Sequence, residues 1–338
     1  MPVDGKSLQK ALDAIRSAYG DETVRMGDED EDLIRVPTGI IQLDSLIGGG
    51  FPLGRWVHPY GGFGSGKSLT CFHMIAQAQK MGLSCAYYDL EKQYNKGWAE
   101  SIGINTKDLL VVEGNEIEPL GEKMDALLPA INIHIIDSVG VGVSLLRQAA
   151  RLDESRPASA ARAWGEVIPR LQSRFDRKEN MIVLINHTRE VFGKPGQERP
   201  TGGSQLEFVS SLSLHFTKSS WLFRDKQGNL SENGQKIDEK TGRTKPDGID
   251  LVVSVKKSRV SDPYGSARMR FEFGSGGHFD ETWALARQAI FGGLVAKSGS
   301  WFTLPTGDRV QGESKVRDYI EATPEFAERL RELFYETS

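Results

Sequence analysis

The chain has 338 residues, 38% hydrophobic and 26% charged, with 42 Lys and Arg against 46 Asp and Glu and a formal net charge of −4. Such a chain can bury a full globular core, and its charge excludes nucleic-acid binding driven by the molecule as a whole, so any such site must be a local basic patch. No apolar run reaches the roughly 18 residues of a membrane span, the N-terminal stretch lacks a signal-peptide core, and Cys71 and Cys85 cannot make a disulfide framework; the expectation is a cytoplasmic protein with two buried free thiols and no membrane partner.

In chain order, Leu8, Leu12, Ile15 and Tyr19 lie at helical spacing ahead of Gly20, which predicts an amphipathic helix with a glycine at its end. The acidic run Gly27–Asp32 reads as a solvated linker. Beyond it, short apolar runs predict strands over 55–60, 84–90, 109–114, 133–139, 181–188, 209–216, 248–259 and 268–274. Helical stretches fall at 68–82, 96–103, 118–130 and 159–178. This alternation predicts an α/β fold with a mostly parallel central sheet. The crowding of strands between Leu206 and Phe273 predicts an antiparallel extension. The polar, glycine-punctuated segment Arg224–Gly248 reads as a hairpin tip or a mobile loop. After residue 279 a helix, short strands and further helices predict a small C-terminal domain. The expected organisation is an N-terminal helix and linker over 1–32, an α/β core over 33–278 and the small domain over 279–338.

The most informative stretch is Gly61-Gly62-Phe63-Gly64-Ser65-Gly66-Lys67-Ser68, with Leu69 following, placed between a predicted strand and a predicted helix. Its glycines let successive backbone N–H groups turn into one concavity, and the helix start adds a positive dipole end. Lys67 would supply charge to the β- and γ-phosphates, and the Ser68 hydroxyl a ligand for Mg²⁺. Asp137 ends an apolar strand, where a carboxylate either caps the strand or holds the metal. Asp89 and Glu91 close another strand, and a carboxylate there is either solvated surface or the group that activates water. Asn186 and His187 end a third; His187 is either a structural hydrogen-bonder or a sensor.

Two polar segments are candidates for nucleic acid. Arg189–Gly203 carries Arg189, Lys194 and Arg199 around the apolar pair Val191-Phe192, a mixture that suits single strands whose phosphates are neutralised while bases stack. It reads as a long loop that switches between order and mobility. Arg151–Ala163 carries Arg151, Arg156 and Arg162, a weaker signal because surface arginines are common.

These motifs, in this order, resemble the RecA family of recombinases and its phage-encoded members. The matching pieces run from the segment entering the phosphate loop through "YYDLEKQYNKGWAESIGI", "IIDS", "INHTR", "TGG", "VKKSRVSDPYG" and "FEFGSGGHF" to the closing "SGSWFTLPTGDRV" region. The resemblance implies a RecA-like phosphate-loop ATPase that forms helical filaments on single-stranded DNA and exchanges strands with homologous double-stranded DNA. It implies ATP and Mg²⁺ as cofactors, with a single-strand-binding protein and a loader as further partners. By position it makes Glu91 the catalytic glutamate, puts Asn95 and Trp98 at adenine, and places Phe273 and Gly274 at the nucleotide edge. Lys257 and Arg259 match the basic pair that reaches a neighbour's γ-phosphate. His187 stands where bacterial members carry glutamine, and Asn-His-Thr is similar to phage members. The DNA-binding loops match Arg151–Ala160 and Glu190–Gly203, the latter ending on Gly202 and Gly203. Several features depart from the bacterial pattern. The phosphate loop has Phe63 and glycines where glutamate and serines stand. The second DNA loop is short, leaving Val191 or Phe192 as the intercalating residue. Pro169 replaces an arginine, Arg224–Gly248 is an insertion, and the acidic tail is missing. Two other readings keep the same motifs: a ring-forming helicase or motor, and an ATP-binding accessory filament protein without strand exchange.

Overall fold

A computed structural model of the chain describes residues 5–20, 24, 33–148, 158–191, 194–225, 230–232, 245–274 and 277–336, with backbone alone at 191, 194–197, 335 and 336. By its contacts the chain forms two compact units, 1–34 and 35–338. The first carries α1 (Gly5–Tyr19). The Gly20 N–H returns to Arg16 O at 2.8 Å, and Gly20 takes φ +101°, so the predicted helix ends on its glycine.

The second unit opens with β1 (Arg35–Val36), α2 (Ile41–Leu46) and β2 (Phe51–Pro52). It continues through β3 (Trp56–Gly61), α3 (Lys67–Lys80), β4 (Cys85–Asp89), α4 (Lys96–Ile102), β5 (Leu109–Glu113), α5 (Ile117–Leu127) and β6 (Ile133–Asp137). Next come α6 (Leu145–Gln148), α7 (Ser159–Arg174), β7 (Met181–Leu184), β8 (Asn186–Val191), β9 (Lys194–Pro200) and α8 (Ser204–Val209). The strands β10 (Leu212–Arg224), β11 (Leu230–Ser231), β12 (Gly248–Ser258), β13 (Ser266–Glu272) and β14 (His278–Phe279) follow. The chain ends in α9 (Glu281–Phe291), β15 (Ala296–Ser298), β16 (Trp301–Thr303), β17 (Arg309–Gln311), α10 (Glu313–Ala322) and α11 (Pro324–Glu336).

The main sheet runs β14-β13-β12-β10-β3-β7-β6-β4-β5. From β10 to β5 every neighbour is parallel, and β12, β13 and β14 add on antiparallel. This is the mixed sheet that the sequence pattern predicts. The parallel strands are apolar on both faces because helices cover both. Along β7, Met181 and Val183 enter one core with α3 and the antiparallel strands; Ile182 and Leu184 enter the other with α5 and α7. The alternation follows from successive side chains pointing to opposite faces.

A third core joins Leu285, Ala289, Phe302, Val316 and Leu330 of the C-terminal α/β module to Ile41 of α2. Asp280 caps α9 by accepting the Trp283 N–H at 2.8 Å. One expectation needs correction: among its described residues, Arg189–Gly203 is for the most part not a loop but two strands. β8 and β9 pair antiparallel, with Thr188 opposite Pro200 and Val191 opposite Lys194. The polar composition hid the strands, since both faces of this hairpin lack the apolar side that usually announces one.

Candidate nucleotide-binding site

The site forms where β3, β4 and β6 end. β3 stops at Gly61, and a side chain there would put its Cβ 2.0 Å from Phe216 O on β10. Gly66 turns the chain into α3 at φ +90°, and a Cβ would lie 2.6 Å from the Leu251 methyl. No side chain caps the start of α3, which leaves its first N–H groups to the concavity of the loop. Lys67 is buried beneath this turn. Its Nζ donates to Gly61 O at 3.0 Å, Gly62 O at 2.8 Å and Ser65 Oγ at 3.4 Å. Burial pushes the Lys67 ammonium down to about 8, against the pull of Asp137 and Glu91. Lys218 of β10 brings a second cation, with its Nζ 3.6 Å from where a Gly64 Cβ would stand.

Two carboxylates flank Lys67 and are tuned in opposite directions. Asp137, the last residue of β6, is buried and accepts the Tyr87 hydroxyl at 2.6 Å and the Ser68 hydroxyl. Burial holds its carboxyl above the usual range, with both hydrogen bonds opposing. Glu91 is half-buried. Its Oε1 accepts His187 Nε2 at 2.8 Å and Ser138 Oγ at 2.6 Å. The His187 hydrogen bond, aided by Ser138, holds it below the usual range in spite of partial desolvation. Asp89 does not join them: it accepts the backbone N–H groups of Gln93 and Tyr94 at 3.1 and 2.7 Å. It thereby shapes the turn that carries Glu91.

His187 enters because β8 runs parallel beside β3, setting His187 against Gly61. Its ring stacks on Phe63, centroids 4.5 Å apart, and its Nδ1 is buried without a hydrogen-bond partner. Asn186 ties this strand to the far end of the hairpin. Its Oδ1 accepts the His187 N–H at 2.8 Å and Thr201 Oγ1 at 2.7 Å; its Nδ2 donates to Thr201 O at 2.8 Å and faces His58 Nε2 at 3.2 Å. Burial pushes His58 down to about 4, so its neutral Nε2 accepts from Asn186. A continuous path therefore runs Glu91–His187–Asn186–Thr201. His187 spends Nε2 on Glu91, which leaves Nδ1 as the ring nitrogen open to a further partner.

On the hairpin, Arg189 lies opposite Arg199 and Glu190 opposite Glu198, and all four are exposed. Glu198 accepts Thr188 Oγ1 at 2.7 Å and lies 3.7 Å from His215 Nε2. Gly202 and Gly203 lead from β9 into α8, and Arg162 is exposed on α7. The side chains of Val191 and Lys194, and all of Arg151, Arg156 and Phe192, lie outside the described residues.

The other candidates stand apart from this cluster. Asn95 caps α4 by accepting the Trp98 N–H at 2.9 Å, and Trp98 packs on Phe72 of α3 with centroids 4.9 Å apart. Phe273 stands half-exposed beside Trp221 and Phe271, ahead of Gly274 at φ +111°. Lys257 Nζ donates to Glu207 O at 2.6 Å and Phe208 O at 3.2 Å, near the end of α8, and Arg259 is exposed. Leu69 is buried in the core under the sheet. Sequence reasoning missed Ser138, Tyr87, Thr201 and Lys218. Their residue types are common, and only strand register brings them here.

Among the described residues no three His, Cys, Asp or Glu side chains gather as a metal cage. The Ser68 hydroxyl and Asp137 carboxylate are nonetheless two adjacent hard oxygen donors. That set fits Mg²⁺, which takes one or two protein oxygens and completes its shell with water and phosphate. Bound there, the ion would offset charge on the phosphate oxygens.

The profile of the RecA N-terminal domain matches residues 6–277. The chain is 32% identical to Protein RecA of Saccharopolyspora erythraea over 97% of its own length and 91% of that protein. It is 32% identical to Protein RecA of Methylococcus capsulatus over 95% and 89%, and 28% identical to Protein RecA 2 of Myxococcus xanthus over 96% and 88%. With a family match across most of its length, enclosing the phosphate loop and both carboxylates, the chain belongs to the RecA family, whose members hydrolyse ATP in DNA recombination.

Proposed function

We propose that the protein is a DNA-dependent ATPase that assembles as a helical filament on single-stranded DNA and exchanges strands with a homologous duplex. The observation that carries this reading is the path Glu91–His187–Asn186–Thr201, which links the candidate base to both ends of the arginine-bearing hairpin, with Phe63 of the phosphate loop stacked on its His187. Lys67 and the loop N–H groups bind phosphate, Ser68 and Asp137 hold Mg²⁺, and Glu91 takes the proton of the attacking water. Asn95, Trp98, Phe273 and Gly274 border the nucleotide. Lys257 and Arg259 act on the ATP of the next protomer, so the site is complete only on assembly. A head-to-tail contact of this kind that does not close on itself builds a filament.

Single-stranded DNA meets the hairpin through Arg189, Lys194, Arg199 and the Val191-Phe192 wedge, and the neighbouring segment through Arg151, Arg156 and Arg162. Residues 1–32 serve subunit assembly, 33–278 form the ATPase core and 279–338 the small C-terminal domain. The protein works in the cytoplasm of a bacterial or phage-infected cell, alongside a single-strand-binding protein and a loader. Asn186-His187-Thr188 gives it phage-type character. The test combines ATP turnover with and without single-stranded DNA and electron microscopy with a slowly hydrolysed ATP analogue. Open filaments and DNA-stimulated turnover are expected. Closed rings would replace this reading with a motor, and filaments without turnover with an accessory protein.

A further inference from the structure

Phe63 is the one large apolar side chain in a loop otherwise made of glycine, serine and lysine. It is 74% exposed. A phenylalanine at the tip of a phosphate cradle offers an anion neither charge nor donor, so its chemistry must lie elsewhere. What it touches is His187: the rings stack with centroids 4.5 Å apart and planes 28° apart. The same imidazole gives Nε2 to Glu91 at 2.8 Å, while its Nδ1 is buried with no hydrogen-bond partner. The ring therefore has one polar anchor, Glu91, and one stacking surface, Phe63.

We infer that Phe63 is a positioning residue that clamps His187 onto Glu91 and so restrains ATP hydrolysis until DNA draws His187 away. The inference rests on the proposed role of Glu91 as the base. Two donors, Ser138 at 2.6 Å and His187 at 2.8 Å, occupy Glu91 Oε1. A carboxylate bound in this way is a poorer acceptor for a water proton than one with the lone pair free. Swinging the imidazole off Oε1 restores that acceptor. His187 is the second residue of the hairpin strand β8, and Asn186 fixes its backbone to Thr201 at the hairpin's other end, so an ordered hairpin can move it. Phe63 opposes the movement from the phosphate loop, which makes the restraint sensitive to both ends of the path.

The test uses the full-length protein and its Phe63→Ala, Phe63→Tyr, His187→Ala and Phe63→Ala/His187→Ala variants. Without DNA, Phe63→Ala should raise ATP turnover about two- to tenfold, the range one aromatic pair supports, with KM for ATP within about twofold. Phe63→Tyr, which keeps a stacking ring, should recover most of the restraint. In the His187→Ala background, Phe63→Ala should change nothing further, because residues acting through one contact are not additive. A readout independent of turnover is the proton spectrum of the His187 ring, one of six histidines, in protein without added nucleotide. Its ring-current shift should vanish in Phe63→Ala and persist in Phe63→Tyr. Additive effects, an unmoved ring resonance, or a raised KM with unchanged DNA-free turnover would each overturn the clamp, the last by making Phe63 a nucleotide contact. A parent that hydrolyses no ATP in any condition would instead strike down the proposed function. A DNA-stimulated parent whose stimulation ratio survives Phe63→Ala would strike down the clamp alone.

Discussion

The phosphate loop and the β8–β9 hairpin meet at His187, which stacks on Phe63 of the one and lies in the first strand of the other, and they are held in opposite ways. Beneath the loop, Lys67 is buried with three acceptors, and Gly61 and Gly66 lie where a methyl group would strike Phe216 or Leu251. On the hairpin Arg189, Glu190, Glu198 and Arg199 are exposed, and the register sets Arg189 against Arg199 and Glu190 against Glu198. Like charges directly opposite on a strand pair each cost about 0.2–1 kcal/mol. Packing determines the first region many times over; the second keeps its shape on backbone hydrogen bonds, the Thr188–Glu198 and Asn186–Thr201 links and the Glu198–His215 contact. A ligand that moves little free energy can therefore rearrange the hairpin and not the loop, which suits a division into a fixed chemical site and a responsive binding element.

The sharpest way to break the comparison is to remove the base from the fixed end. Glu91→Gln should lower ATP turnover about 10²- to 10⁴-fold while ATP affinity, read by calorimetry, stays near the parental value. Turnover at the parental rate would move the chemistry to another residue. Lys67→Ala should weaken ATP binding about thirty- to several-thousand-fold, the range for removing one partner of a buried, hydrogen-bonded charge pair; a change under threefold would mean that the loop N–H groups suffice.

The same region should show itself in pH dependence. Lys67 titrates at about 8, so below that pH the ammonium is charged and above it the charge is lost. kcat/KM should fall about tenfold per pH unit above about 8, whereas kcat should hold to higher pH, because bound phosphate favours the charged lysine. At the acid end Glu91 titrates below the ordinary range, chiefly through His187, and His187→Ala should move the acid limb of kcat upward. The responsive end calls for the smallest and most specific change. Arg199→Glu should turn a repulsive cross-strand pair into an attractive one and stiffen the hairpin. It should also lower the salt slope of single-strand binding by about 0.7 for one lost phosphate contact, measured by fluorescence anisotropy across a salt series. An unchanged slope would show that Arg199 meets no phosphate.

Much of the fixed region was legible in the sequence, and little of the responsive one. The spacing from Gly61 to Ser68, the apolar runs that make β3, β4 and β6, and the carboxylates closing β4 and β6 are local features, and the structure brings Lys67, Ser68, Asp137 and Glu91 together where those strands end. The hairpin was not legible, because a strand with two polar faces carries no periodic signal. Phe63 read only as one member of a phosphate loop. Its contact with His187 depends on β8 lying beside β3, a neighbour relation that spacing along the chain does not encode.

By itself the sequence determined what local chemistry dictates: strands where apolar residues run, helices where they recur at 3.6, and a loop that must curl because only glycine tolerates its angles. Tertiary structure alone decided the pairings. Glu91 and His187 are 96 positions apart and share a 2.8 Å hydrogen bond. Asp137 and Glu91, alike as carboxylic acids, are driven to opposite sides of the usual range by burial in one case and hydrogen bonds in the other. The physical reason is that a group's charge and reach depend on what surrounds it, and in a parallel sheet those surroundings come from strands far apart in the chain.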